Sequence, residues 1–192
     1  MSVFTAVLLA VIVILALYGV AIYNGLVRLK HDVSKAWANI DVLLKQRHDE
    51  LPKLVEVCRQ YKQFEQDTLA RITEARAGVA KAMEEHDVPA IGAAENTLRA
   101  GLGKIFAVAE SYPELRANEH FMQLQTRISG LENAIADRRE VYNDSVNLFN
   151  VRIEQFPDVF VAHIFGYDAQ PLLKFGQNET TDHDVGRLFE SR

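Results

Sequence analysis

The side chains of this sequence that could carry chemistry are six histidines, one cysteine and twenty-six acidic residues. In a helical protein they would do metal or acid–base work, and for that their spacing decides. His31, His48, His86, His120, His163 and His183 include no pair four residues apart, and no HExxH helix exists. Helical bundles can hold metals with inward Glu-x-x-His pairs, but none occurs here. Glu85-His86 and Glu119-His120 are merely adjacent, so on a helix they point about 100° apart and cannot share a ligand. His31 and His48 read as solvated helix residues, and His183 in TDHD as part of an acidic tail. The single Cys58 excludes a disulfide framework within one chain. It falls on an apolar stripe, which reads as a buried structural thiol, because reactive thiols need exposure and a nearby cation. The glycines around Gly101 precede no Gly-Lys-Ser/Thr and make no phosphate loop. The expectation is no catalytic, cofactor-binding or metal-binding residue and no cofactor, hence no enzyme.

The elements themselves are clearer. Val3 to Tyr23 reads VFTAVLLAVIVILALYGVAIY, and no charged side chain stands before Arg28. About 20 apolar residues at a helical rise span a hydrocarbon core of about 30 Å, and a helix satisfies its own backbone there. A cleaved signal peptide would want Lys or Arg ahead of the run and small residues after it. Only Met1 and Ser2 precede it, and the bulky Tyr23 and Asn24 follow, so residues 1–24 are read as a retained transmembrane anchor. Tyr18 and Tyr23 suit the headgroup level. Arg28, Lys30, Lys35, Lys45 and Arg47 follow the span and no Lys or Arg precedes it. The positive-inside rule then puts the N-terminus outside and the domain in the cytoplasm. Arg28, Lys30 and Lys35 are the candidates to meet anionic lipid headgroups.

Behind the anchor, apolar residues recur every three or four positions: Leu26, Leu29, Val33, Trp37, Ile40, Leu44, Leu51, Leu54, Val55, Cys58, Tyr61, Leu69, Ile72 and Val79. The spacing is coiled-coil-like. Its phase carries across Pro52, which predicts one long helix kinked there at a cost of about 3 kcal/mol; a break with Pro52 in a new first turn is the alternative. A second helix starts at Asp87-Val88-Pro89, with Asp87 as cap, and carries Ile91, Leu98, Leu102, Ile105, Phe106 and Ala109. Gly92, Gly101 and Gly103 weaken it but admit a close neighbour. Tyr112-Pro113 ends it. A third starts near Asn118 and carries Phe121, Leu124, Ile128, Leu131, Ile135, Tyr142, Val146, Phe149, Ile153 and Phe156. Phe156-Pro157 closes it, and Asp158 to Phe165 is a short helix ended by Gly166. Asn24, Asn39, Asp41, Glu65 and Asn143 stand on or beside the stripes and could set helix register if buried.

The expected fold is all-α: the anchor, then an elongated antiparallel bundle of three to four long helices over residues 25–166, and a polar, flexible tail over 167–192. The mild net charge of −5 argues against nucleic-acid binding.

The stretches YNGLVRLKHDVSKAWANIDVLLKQRHDELPKLVEVCRQY (Tyr23 to Tyr61), TEAR (Thr73 to Arg76), FAVAESYPELRANEHFMQLQ (Phe106 to Gln125) and YNDSVNLFNVRIEQFPDVFVAHIFGY (Tyr142 to Tyr167) resemble the LemA family of bacterial membrane proteins. The resemblance covers the chain from the anchor to about Phe175. It implies one N-terminal transmembrane helix, a helical-bundle domain and a bacterial inner-membrane location. It carries no catalytic role to any residue. Related domains are associated with magnetosome-membrane formation, which points to membrane organisation by analogy. The expected function is a non-enzymatic, single-pass membrane protein that scaffolds or organises the membrane through helix faces, self-associating as a homo-oligomer. The alternative is a regulatory module that recruits or modulates a membrane protease or signalling partner. The expected contacts are the lipid bilayer, a second copy and a possible protein partner at the membrane.

Overall fold

The computed structural model describes residues 3–61 and 66–174, and every regular element among them is helical. The helices are α1 (Val3–Arg59), α2 (Gln66–Glu84), α3 (Val88–Ala109), α4 (Pro113–Arg116), α5 (Glu119–Glu154) and α6 (Asp158–Ile164). They fall into two compact units. One takes in residues up to 46 together with 130–172; the other takes in 47–129 and the chain from 173 on.

In the first unit, α1 emerges from the apolar run without interruption. The strongly apolar part of this helix is long enough to cross a membrane and is unburied by protein. Burial begins at Ile22 and Leu26 and continues along the expected stripe through Val33, Ile40 and Leu44. The facing stripe of α5 buries Ile135, Tyr142, Val146, Phe149 and Ile153. Trp37 and Tyr142 meet edge to face, with centroids 5.5 Å apart, a favoured aromatic arrangement. The Tyr142 hydroxyl donates to the carbonyl of Pro171 at 3.0 Å, and burial pushes this phenol above its ordinary pKa. Asn150 clamps the backbone of Gln170 from both sides: its Nδ2 donates to the carbonyl at 2.9 Å and its Oδ1 accepts from the amide at 2.8 Å. The first part of the expected tail, 167–174, is therefore non-helical chain held in place by hydrogen bonds. The remainder of that tail lies outside the described residues, as do Glu65 and His183.

Two corrections concern helix ends. The stripe from Leu26 to Val79 is not one helix. It passes through Pro52 but stops at Arg59, and α2 begins at Gln66. Just past the stop, the Tyr61 hydroxyl donates to the Glu114 carbonyl at 3.4 Å and accepts from Asn118 Nδ2 at 3.2 Å. Asn118 also caps α5, accepting from the Phe121 amide at 3.1 Å. Phe156 is the second correction. Read as the last core residue of its stripe, it is exposed, because α5 ends at Glu154 and the helical phase no longer governs it.

The core of the second unit joins Leu51, Leu54, Cys58, Leu69, Ile72, Leu98, Leu102, Ile105, Phe121 and Ile128. The turn between α2 and α3 is a Schellman motif. The amides of His86 and Asp87 donate to the carbonyls of Met83 and Ala82 at 3.2 and 3.1 Å, with His86 at φ 54°. Asp87 then caps α3, its carboxylate accepting from the Ala90 amide at 3.0 Å. Two helical glycines admit close neighbours as expected. A Cβ at Gly101 would lie 2.8 Å from the Ile72 side chain, and one at Gly92 would lie 2.3 Å from the Lys174 carbonyl.

Pro52 has a specific consequence. A proline has no N–H to give the carbonyl four residues earlier, so the carbonyl of His48 loses its helical partner. Arg76 Nε, from α2, donates to it at 3.0 Å. The orphaned acceptor is thus satisfied across the unit, as buried backbone groups must be. Arg76→Met should cost about 1–2 kcal/mol in urea unfolding. In a Pro52→Ala background residue 52 regains its amide, and the cost should shrink by at least about 0.5 kcal/mol. Equal costs in the two backgrounds would show that Arg76 does not serve that carbonyl.

Candidate functional site

The polar features that demand explanation lie in the second unit, where α1 presents Arg47 and Glu50 to its core side. Both stand on the buried face: Arg47 is 1% exposed and Glu50 4%. The stripe accounts for this, since Leu44, Arg47, Leu51 and Leu54 follow one another at helical spacing. Arg47 is thus not one of the flanking surface charges, the place its sequence position suggested. Its guanidinium Nη2 donates to Glu95 Oε1, and Glu95 is itself fully buried on α3. Glu95 likewise takes a stripe position, between Ile91 and Leu98, and that charged residue in apolar phase was the available signal for the pair.

Glu50 forms a second cluster. Its Oε1 accepts from Lys53 Nζ at 3.2 Å and from Arg127 Nη2 at 3.0 Å, while Lys53 and Arg127 remain exposed. An open depression of about 250 Å³ lies beside it, lined by Glu50, Lys53, Val57, His120, Gln123, Leu124 and Arg127. His48 is half-buried rather than solvated. Burial, and then the neighbouring Arg76 guanidinium, push its imidazole below the ordinary pKa. Cys58 is fully buried, and burial alone pushes its thiol up to about 12. At neutral pH it is protonated and a poor nucleophile.

These groups do not converge as a catalytic constellation does. No group of three His, Cys, Asp or Glu side chains that could hold a metal occurs among the described residues. What the arrangement supplies is fixed register. Two charged side chains deep between helices cost several kcal/mol each to desolvate, and only correct pairing repays it.

The membrane-proximal basic residues lie in the first unit. Arg28, Lys30 and Lys35 are all exposed on α1. By helical phase Arg28 and Lys35 share a face, and Lys30 lies almost opposite. They ring the helix rather than forming one patch. Lys30 Nζ sits 5.8 Å from the centre of the Tyr167 ring, within cation–π range. Asn24 and Asn39 point to solvent, Asn143 is half-buried, and Asp41 pairs with Lys45 at 2.6 Å.

Breaking the buried pair one-sidedly should be costly. Glu95→Leu leaves the Arg47 charge without its carboxylate and should lose about 3–5 kcal/mol of unfolding free energy. Arg47→Met combined with Glu95→Leu should recover most of that loss, read by denaturant unfolding followed by circular dichroism. A double variant as unstable as the single one would mean that the pair is not the source of the cost.

Comparison with known proteins agrees with the architecture. The LemA family model matches residues 36–186. Protein LemA of Metamycoplasma hominis is 27% identical over 166 residues, covering 86% of this chain and 74% of the relative. Magnetosome protein MamQ 2 of Paramagnetospirillum magneticum is 24% identical over 168 residues, covering 76% of this chain and 62% of the relative. MamQ of Magnetospirillum gryphiswaldense is 22% identical with the same coverage. The chain thus spans less than two thirds of the MamQ proteins' length. Neither the family description nor these names carries an enzymatic activity. With an apolar helix of membrane-crossing length and a family match over most of its residues, the chain belongs to the LemA family.

Proposed function

We propose that this protein is a membrane-anchored helical scaffold that organises the membrane by self-association and catalyses no reaction. The observation that carries the reading is an apolar stripe on α5 that the fold leaves uncovered: Val141, Leu148 and Val151 are exposed although the opposite face of the same helix is core. By helical phase the three fall within about 80° of arc. Single exposed apolar residues are ordinary, whereas aligned ones suit contact with another helix. A second copy offers the same stripe, so a two-fold pairing is self-complementary. The magnetosome relatives support a role at a membrane by similarity alone.

The span orients the scaffold. Arg28, Lys30 and Lys35 follow it, which favours a cytoplasmic domain and contact with anionic headgroups on that side of a bacterial inner membrane.

Two measurements test this. In nanodiscs or mild detergent the wild-type chain should run as an oligomer, and Leu148→Asp should shift it towards monomer with its helical circular dichroism unchanged. A monomeric wild type at working concentration would overturn self-association; a stoichiometric foreign protein bound through the stripe would replace it with recruitment. Protease added to intact spheroplasts should spare the domain and digest it only after lysis. Digestion before lysis would reverse the orientation.

A further inference from the structure

The end of the first unit nearest the apolar span shows large hydrophobic side chains that are mostly exposed. Phe156 is 80% exposed, Phe160 61%, Ile164 77% and Phe165 57%. They are arranged, not scattered. Phe156, Phe160 and Ile164 are spaced by four, and the rings of Phe156 and Phe160 meet edge to face with centroids 5.8 Å apart. The inward side of α6 carries its polar attachment instead: Asp158 and Ala162 are buried, and Asp158 pairs with Arg152 of α5. A helix that turns its carboxylate inward and Phe160 and Ile164 outward is the reverse of a water-facing helix.

The position of α6 says what covers that face. Phe165 packs on Tyr23, with ring centroids 4.6 Å apart, and Tyr23 is the last residue of the run from Val3 that has the length of a hydrocarbon core. Phe165 therefore stands at the depth where the span leaves the hydrocarbon. Seven helical residues extend only about 10 Å, so all of α6 remains close to that depth. Lys30, two helical turns beyond Tyr23, lies against Tyr167, the residue after the glycine turn that ends α6. A basic residue with aromatic neighbours suits the headgroup boundary.

We infer that α6 and its flanking phenylalanines form a second membrane contact: a short interfacial helix that buries Phe156, Phe160, Ile164 and Phe165 in the leaflet that the span has just crossed. The contact rests on the anchor reading, because the same bilayer must hold both. The span would fix the protein in the membrane. The α6 face would hold the near end of the first unit against the leaflet, with Arg28, Lys30 and Lys35 at headgroup level.

Nitroxide labels on single cysteines test the depth in the full chain, reconstituted in nanodiscs of three parts phosphatidylcholine to one part phosphatidylglycerol. Native Cys58 can stay, since its buried, protonated thiol resists labelling. Labels go on Phe160→Cys, Ile164→Cys, Leu15→Cys in the span and Val42→Cys on the exposed surface of α1. Collisions with oxygen report lipid and collisions with a water-soluble nickel complex report water. The oxygen-to-nickel ratio should be several-fold higher at 160 and 164 than at 42, and should approach that at 15. A lipid-like ratio at 15 with a water-like ratio at 160 and 164 overturns the interfacial helix and leaves the anchor standing. A water-like ratio at 15 overturns the anchor and, with it, the inference. Spin–spin broadening between copies at 160 and 164, with both reagents excluded, assigns the face to a second chain and also overturns it.

Discussion

A single missing backbone proton organises the second unit. Pro52 stands inside α1, and the carbonyl of His48 is left without the amide that a helix would give it. Arg76 supplies the donor from α2. The helix passes through the proline, and this bond ties α2 at a definite height to α1. One turn away, Arg47 ties α1 to α3 through Glu95. Both links leave from the same short segment of α1. They are directional, unlike the apolar contacts around them, so they select among the sliding registers that leucine and isoleucine stripes alone would tolerate.

Most of the helical architecture was legible because its signals are local. The cap at Asp87, the cap at Asn118 and the glycine at Gly166 each act within a few residues. The apolar stripes needed only periodicity, and most of their members are buried. What escaped was set by distant partners. α1 ends at Arg59 and α2 begins at Gln66, although the apolar period continues through Tyr61 to Leu69. Arg47 resembled a flanking surface charge because its carboxylate lies forty-eight residues away. The candidate site was partly legible: Arg47 and Glu95 interrupt apolar stripes, a pattern that marks buried ions only once both helices are in phase. The exposed α6 face escaped for another reason. Phe156 fits the core period of α5, and only the end of that helix at Glu154 shows that it does not continue the stripe.

Membership of the LemA family and the apolar span agree on a membrane context, while the chemistry of the chain turns inward. Its strongest charges are used between helices, and its thiol is shielded. Among the described residues outside the span, exposed apolar side chains gather on α5 and around α6, and exposed basic ones follow the span. Such surfaces fit lipid and other helices better than they fit a small-molecule substrate.

The continuity of α1 past Ile22 and Leu26 has a mechanical consequence. The apolar run passes through Gly25 into the segment that packs on α5 without leaving the helix, and no proline lies between them. The span and the Trp37–Tyr142 contact are therefore parts of one rotor. Adding one residue between them would turn the lipid-facing surface by about 100° relative to the domain face. The azimuth of the helix in the bilayer and the direction in which its unit faces are thus a single variable. A neighbour that grips one side of the span sets, by the same rotation, which way Arg28 and Lys35 point.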